Sequence, residues 1–350
     1  MKIPIKTCIE LILILSVMRF SLLCAQSTKS NEEIFSKAKI GFEKINKNLK
    51  ISPMTIDLDS KNPNILKRTL IIDAQNDKPK AKYYVANISS ILALKDTLLI
   101  LDEKQNAMLI SDLKGNIIKD VGRIGSGPGE FKKPAMLLNN KKYLFIYDHS
   151  NARIQVFDRK YKYVKSFPYQ YTCYRKNIGI SDDVMITNYG FGTPYKPKTY
   201  DISKLSFKEI KILPDQFNYD IDLGSYNINY EQLFKISQKY IVSAGSVLPY
   251  LYIYDGKGKP LYSIELKGKV VEKKKNIKQN TIFILVDDLE LDGTNLYLLI
   301  LNKLYRIDLQ SKQLMDVYIL NDDKDYSDKF TLYNKTIFFG NSSKVWSGNI

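Results

Sequence analysis

Two stretches of the chain carry the same plan at a fixed interval, and this interval constrains the fold more than any other feature. In "DTLLILDEKQNAMLISDLKGNIIKDVG", residues 96–122, an apolar run (Thr97–Leu101) ends in Asp102. A polar turn leads to a second run (Met108–Ser111) ending in Asp112, and Lys114-Gly115-Asn116 turns the chain into a third, Ile117–Val121. In "KKYLFIYDHSNARIQVFDRKYKYVKSF", residues 141–167, the plan returns as Tyr143–Tyr147, Asp148, Arg153–Phe157, Asp158 and Tyr163–Phe167. Asp102 to Asp148 and Asp112 to Asp158 are each 46 residues apart. Short β-branched and aromatic runs broken by Gly, Asn and Asp turns read as antiparallel strands. The first run of each copy is apolar on both faces, which predicts a sheet covered on both sides.

Fainter copies follow. "VLPYLYIYDGKGKPLYSIEL" (247–266) gives strand, Asp255-led turn and strand. "GTNLYLLILNKLYRIDLQSKQLMDVYIL" (293–320) gives the full plan, with Asp308 where Asp158 stood. "NIGISDDVMITNY" (177–189) reads as a hairpin inside an otherwise divergent stretch, 172–230. A period of roughly 40–50 residues with about four strands and no helix is the signature of a β-propeller. A single blade cannot cover both its faces, so stacking blades around an axis supplies the core. The predicted fold is all-β: a six-bladed propeller of four-stranded antiparallel blades over residues 52–350, with a short N-terminal extension, 26–51. Two β-sandwiches would leave the 46-residue self-similarity unexplained. In the extension, "NEEIFSKAKIGFEKINKN" (31–48) places Ile34, Phe35, Phe42 and Ile45 as the apolar face of a short helix.

Between the two clear copies lies "GRIGSGPGEFKKP", Gly122 to Pro134. Its glycines suggest a phosphate cradle, yet the details exclude one. Gly122 and Gly127 have P-loop spacing, but Pro128 stands where the lysine is needed. Glu130 replaces the third glycine of a dinucleotide fingerprint, and Pro134 stops any following helix. The stretch instead sits where the chain crosses from the outer strand of one blade to the inner strand of the next. Glycines permit the turns and close approaches of such a crossover. Glu130 is expected to accept backbone N–H groups there, or to pair with Arg123.

Composition narrows the function classes. Hydrophobic residues make up 44% of the 350-residue chain, and 25 Tyr against 15 Phe and one Trp lean toward sheet. The formal charge of +16 is spread mainly over turns, without the aromatic-interleaved basic face that nucleic acid demands. "KGKVVEKKKNIK" (267–278) is the one true lysine cluster and reads as a solvated loop. A single histidine argues against a multi-histidine zinc site or a Ser/His/Asp triad.

The N-terminus has the order of a secretory signal: Lys2 and Lys6, an apolar run, then small residues. Cleavage after Ala25 leaves residues 26–350. Alternatively "SLLC" acts as a lipobox and Cys24 becomes a lipidated first residue, although Leu23 is larger than a lipobox favours. After cleavage at Ala25 only Cys173 remains of the three cysteines, so no internal disulfide is expected. No transmembrane helix is expected in the mature chain.

"GRIGSGPGEF" together with "LFIYDHSNARIQVFD" resembles the NHL/TolB-like six-bladed β-propellers of Bacteroidetes-type exported proteins. Gly125, Gly127, Pro128, Gly129, Glu130 and Phe131 match their blade-linking stretch. Asp148, Asn151, Ile154, Val156, Phe157 and Asp158 match the repeat that follows, so the resemblance covers about residues 88–168. It implies a propeller fold, export to the periplasm or cell surface, and often a lipid anchor at the outer membrane. It implies no settled activity, since propellers host binding modules and enzymes alike.

The functional expectation is therefore a monomeric binding or scaffold module outside the cytoplasm, with a protein, peptide or glycan partner and no catalysis. Candidate ligand contacts are Arg123, Asp148, His149 and Arg153, with Tyr189, Phe191 and Tyr195 of the aromatic, glycine-rich loop 188–200. For each, a turn, packing or insertion role competes. The alternative is a Ca²⁺-dependent propeller enzyme, a lyase or hydrolase, with Asp182-Asp183, Asp287-Asp288 or Asp322-Asp323 as oxygen ligands.

Overall fold

Alternate residues of a strand point to opposite faces, so a strand that is apolar throughout must be covered twice. Among the described residues the chain meets that demand with six sheets arranged in a ring, apart from two helices and a 3₁₀ turn. The computed structural model describes residues 31–74, 83–169, 178–189, 196–214, 232–276, 284–320 and 325–350.

The chain begins with helix α1 (Asn31–Leu49) and strands β1 (Pro53–Asp57), β2 (Asn64–Ile65) and β3 (Arg68–Asp73). Blade 1 follows as β4 (Ile88–Ala93), β5 (Leu98–Asp102), β6 (Ala107–Ser111) and β7 (Ile117–Val121). Blade 2 is β8 (Pro134–Asn139), β9 (Tyr143–Asp148), β10 (Arg153–Asp158) and β11 (Tyr163–Pro168). Blade 3 is β12 (Ile178–Ile180), β13 (Val184–Tyr189), β14 (Lys196–Asp201) and β15 (Lys208–Ile210). Blade 4 is β16 (Gln232–Ile236), β17 (Tyr240–Gly245), β18 (Tyr250–Asp255) and β19 (Pro260–Lys267), followed by helix α2 (Lys269–Lys275). Blade 5 is β20 (Asp288–Asp292), β21 (Asn295–Ile300), β22 (Lys303–Asp308) and β23 (Gln313–Ile319). Blade 6 takes β24 (Lys329–Tyr333), β25 (Thr336–Gly340) and β26 (Lys344–Asn349) from the C-terminus. Its outer strand is β3, antiparallel to β26, so the two ends of the chain close the ring within one sheet.

The core is six separate apolar layers, one between each pair of neighbouring blades. β5 shows the logic. Leu99 and Leu101 pack with Leu144, Ile146 and Phe157 of blade 2, while Leu98 and Ile100 pack with Phe338 and Val345 of blade 6. All five residues of β5 and of β6 are buried, whereas the central three of β7 are exposed. Burial therefore falls outward along each blade.

The aspartates that set the sequence period close the outer turns. Asp158, Asp201, Asp255 and Asp308 each end a third strand, and Asp112 directly follows one. Each accepts a backbone N–H from the following turn, as Asp158 does from Lys160 (2.8 Å) and Lys162 (2.9 Å). This is the Asx-type turn geometry that short carboxylates favour.

The N-terminal segment forms a strap outside blades 4 to 6. β1 adds to β19 and β2 to β23, both in parallel, before β3 completes blade 6. Helix α1 buries Phe35, Ala38, Phe42 and Ile45, and the Phe42 ring stacks on Tyr250 with centroids 4.3 Å apart. The lysine cluster expected as a solvated loop forms α2 instead. Val271 is the reason: it is buried in the same layer as Phe35, Ile56 and Leu58, which gives one side of the segment a partner. Among the described residues no helix is long and apolar enough to cross a membrane.

Candidate functional site

The glycine-rich stretch runs from β7 of blade 1 to β8 of blade 2 and is fixed by blade 2's own charges. Phe131 is fully buried between the blades, its ring 5.7 Å from that of Phe157. A Cβ on Gly122, where φ is +97°, would overlap that ring, so the glycine is required by both conformation and space. The Phe131 N–H donates to Arg123 O (2.8 Å) and the Gly125 N–H to Phe131 O (3.0 Å), folding the stretch back on itself.

Glu130 closes the loop. One carboxylate oxygen accepts the Gly127 N–H (2.9 Å) and the other accepts Arg123 Nε (2.9 Å). The Gly127 N–H first, and the Arg123 guanidinium second, hold this carboxyl below the usual glutamate range.

Beneath the loop lies Asp148, at the end of β9 and wholly buried. It accepts hydrogen bonds from Lys132 N (2.7 Å), Asn151 Nδ2 (2.8 Å), Arg153 Nε (2.9 Å) and Gln155 Nε2 (3.2 Å). Arg153 spreads its remaining donors over the carbonyls of Ser126 (2.7 Å), Gly127 (2.9 Å) and Glu130 (2.8 Å). Gln155 accepts the Gly129 N–H and donates to Glu130 O, while Asn151 donates to Gly125 O. Asp102 plays the matching part in blade 1, accepting from the N–H groups of Ala86, Asn87, Lys104 and Gln105.

Of the candidate contacts, the structure thus brings Arg123, Asp148 and Arg153 into one network with the linker residues Gly125, Gly127, Gly129, Glu130 and Phe131, and their polar atoms engage one another. His149 opens the 3₁₀ turn His149–Asn151 beside this network, its ring edge-on to Tyr147 at 5.7 Å. Burial pushes its imidazole below the ordinary range. Tyr189 ends β13, paired with Lys196, on the other side of blade 2. Phe191 and Tyr195 lie outside the described residues, as do Cys24 and Asp322-Asp323. Asp182 is held by Lys141 through its backbone N–H (3.0 Å) and its ammonium (2.9 Å). Asp288 is buried and accepts the N–H groups of Leu289 and Phe330. No group of three or more His, Cys, Asp or Glu able to hold a metal ion occurs among the described residues.

A second polar site lies on the ring's axis. A cavity of about 420 Å³ is lined by the inner strands of all six blades near their C-terminal ends, including Asn139, Ile180, Lys235, Glu290, Asp292 and Tyr333. Lys235 Nζ of blade 4 meets Glu290 Oε2 of blade 5 at 2.7 Å, with 16% and 23% of the two side chains exposed. Burial alone would lower the Lys235 pKa, but the Glu290 and Asp288 carboxylates outweigh it and raise it. The walls are tied across blades by the Ala93 N–H to Thr331 Oγ1 (3.1 Å) and the Leu137 N–H to Ser90 Oγ (3.2 Å). These channel residues escaped the sequence reading. One signal was available: "DLELD", Asp288–Asp292, alternates acid with leucine and so puts three carboxylates on one face of a strand.

A model of the six-bladed β-propeller family matches residues 80–281, more than half of the chain. The chain belongs to that family. The match covers blades 1 to 4 of the propeller. An exported-protein candidate from Bacteroides fragilis shares the fold at a TM-score of 0.56 and 12% identity, over 85% of this chain and 100% of that one. A protein of unknown function from Bacteroides thetaiotaomicron does so at 0.51 and 10%, over 81% of this propeller's chain and 75% of its own. The glutaminyl cyclase of Myxococcus xanthus aligns at a TM-score of 0.39 and 8% identity, over 85% and 100%. No curated protein matches.

Proposed function

We propose that this propeller is a binding module, exported from the cytoplasm, whose ligand enters the axial cavity lined by Asn139, Lys235, Glu290, Asp292 and Tyr333. The observation that carries the reading is the Lys235–Glu290 pair standing inside a cavity of about 420 Å³. Cavities of roughly 300–1,000 Å³ with a few convergent polar groups are the usual form of small-ligand sites. An ammonium, two carboxylates, an amide and a phenol suit a polar ligand that both donates and accepts: the end of a peptide, or one or two sugar rings of a glycan. Export is supported by the charged–apolar–small order of residues 1–25 and by the exported-protein candidate among the fold's relatives.

A thermal-shift panel of short peptides and of mono- to trisaccharides tests the reading. A true ligand raises the melting temperature of the unaltered protein, and its affinity falls at least about tenfold in both Lys235→Ala and Glu290→Gln, a loss of about 1.4 kcal/mol. Ligands that bind both variants as tightly as the parent place the site elsewhere and overturn the reading.

A further inference from the structure

Thirty residues in and beside the two helices hold a disproportionate share of the positive charge. Asn31–Lys50, which is α1 and the residue after it, and Lys267–Asn276, which contains α2, together carry ten lysines against four glutamates. A formal +6 of the chain's +16 therefore sits in under a tenth of its length. The two segments adjoin. Phe35 of α1 and Val271 of α2 share an apolar layer, and Lys275 Nζ lies 5.9 Å from the Phe35 ring centroid. The acids in these segments do not cancel the field: Glu272 is taken up by Lys275 (2.6 Å), and Glu43 is flanked by Lys39 and Lys47 one helical turn either side.

The orientation of α1 decides what this charge faces. Phe35, Ala38, Phe42 and Ile45 are buried against the propeller. Ile40, Lys44 and Lys47, spaced i, i+4 and i+7, form a stripe on the far side, and all three are exposed. Ile40 is 64% exposed, an apolar side chain held in solvent among lysines. Lys39 on α1, Lys50 just after it, and Lys269 and Lys273 on α2 are exposed as well. The helix also begins seven residues after Cys24, the end of the apolar N-terminal run, which is at most about 25 Å of fully extended chain.

The geometry points to a membrane-docking face: the outward side of α1, with the α2 lysines beside it, rests on an anionic phospholipid surface. Lysine stems lie along such a surface with their ammonium groups at the phosphates, and an apolar residue between them enters the headgroup layer. Ile40 is what favours a bilayer over a soluble polyanion, because a polyanion offers an isoleucine nothing to enter. This inference does not depend on the axial cavity.

The test uses the chain from Gln26 onward, which keeps every described element. It is sedimented with vesicles of phosphatidylcholine alone and of phosphatidylcholine mixed with phosphatidylglycerol, at low and high salt. Binding is expected only to the mixed vesicles and is lost in high salt. The triple variant Lys44→Gln, Lys47→Gln, Lys273→Gln lowers partitioning on the order of a hundredfold, since each lysine near an anionic surface contributes several-fold. Ile40→Ser lowers it several-fold without changing the salt dependence. A control triple, Lys160→Gln, Lys162→Gln, Lys257→Gln, removes equal charge from exposed outer turns of blades 2 and 4 and keeps binding within about threefold of the parent. Unaltered melting temperatures confirm that all three proteins are folded. Equal binding to both vesicles overturns the proposal, as does a control triple that loses as much as the helix triple. An Ile40→Ser protein that binds like the parent overturns it too, in favour of a soluble polyanion.

Discussion

At the junction of blades 1 and 2, Asp148 accepts four hydrogen bonds and Arg153 donates to one carboxylate and three carbonyls. In the axial cavity, Lys235 and Glu290 hold mainly each other, beside a space large enough for a small ligand. Both sites pair a cation with a carboxylate at short range, 2.9 Å within blade 2 and 2.7 Å between blades 4 and 5. They differ in what the pairing leaves over. The junction spends its donors and acceptors on the protein's own backbone, so it fixes one blade against the next and has little capacity for a ligand. The cavity pair keeps acceptor and donor capacity beside open volume. A polar motif conspicuous in sequence can thus be structural, while an inconspicuous one is available for binding.

The largest expected effect is at Asp148. Replacement by Ala leaves Arg153, whose side chain is only 15% exposed, without its carboxylate and strands three further donors. Removing one partner of a buried ion pair costs about 3–5 kcal/mol. Asp148→Ala is therefore expected to lose that much in urea unfolding, with the midpoint shifted and the slope unchanged. A loss under about 1 kcal/mol would mean that the junction, like the cavity, has capacity to spare.

The cavity pair is expected to respond less. Lys235→Ala leaves Glu290 facing open volume that water can fill, so the unfolding free energy falls by about 1–2 kcal/mol. Its larger consequence is the loss of ligand response described above. If Lys235→Ala destabilises as much as Asp148→Ala, the pair is a second structural clamp and the contrast between the two sites disappears.

The sequence made one of these sites visible and hid the other for a physical reason. Asp112, Asp158, Asp255 and Asp308 recur because the turn from third to fourth strand is capped locally by the residue at the third strand's end. Likewise, β5 and β9 read as strands covered on both sides because their alternate residues enter different layers. Both are repeated local demands, and a period exposes them. Lys235 and Glu290 are 55 residues apart on strands of different blades, and each sits once among apolar neighbours. Only the stacking of blade 5 on blade 4 makes them adjacent. The strap was hidden similarly: in β1 only Ile56 is buried, because the strand gains its place from the edge of β19 rather than from an apolar face. In α2, Val271 turned a lysine-rich segment inward, with Lys274 buried on the same helix. Of the linker, the turn was legible from Gly122 and Pro128. The anchoring of its backbone by Arg153 was not, since those contacts span 23 to 27 residues.

The smallest expected effect lies within the junction, at Glu130, and its pH dependence separates it from Asp148. Glu130 is held below the usual glutamate pKa first by the Gly127 N–H and then by Arg123. A carboxyl whose folded pKa is depressed stabilises the fold fully above its unfolded value, about 4.5 here, and loses that contribution as pH falls through the folded value. Glu130→Gln keeps the shape and removes the charge, so the variant should be less stable than the parent at pH 7. The gap should narrow as pH falls below about 4.5 and close once pH is below the depressed folded value, where the parent's own carboxyl becomes neutral. Melting curves across that range provide the measurement. A gap that persists unchanged into acid would assign the effect to altered geometry at the Gly127 N–H rather than to charge. No gap at any pH would show that the loop is held by Arg153 and Phe131 alone, with Glu130 a bystander at its surface.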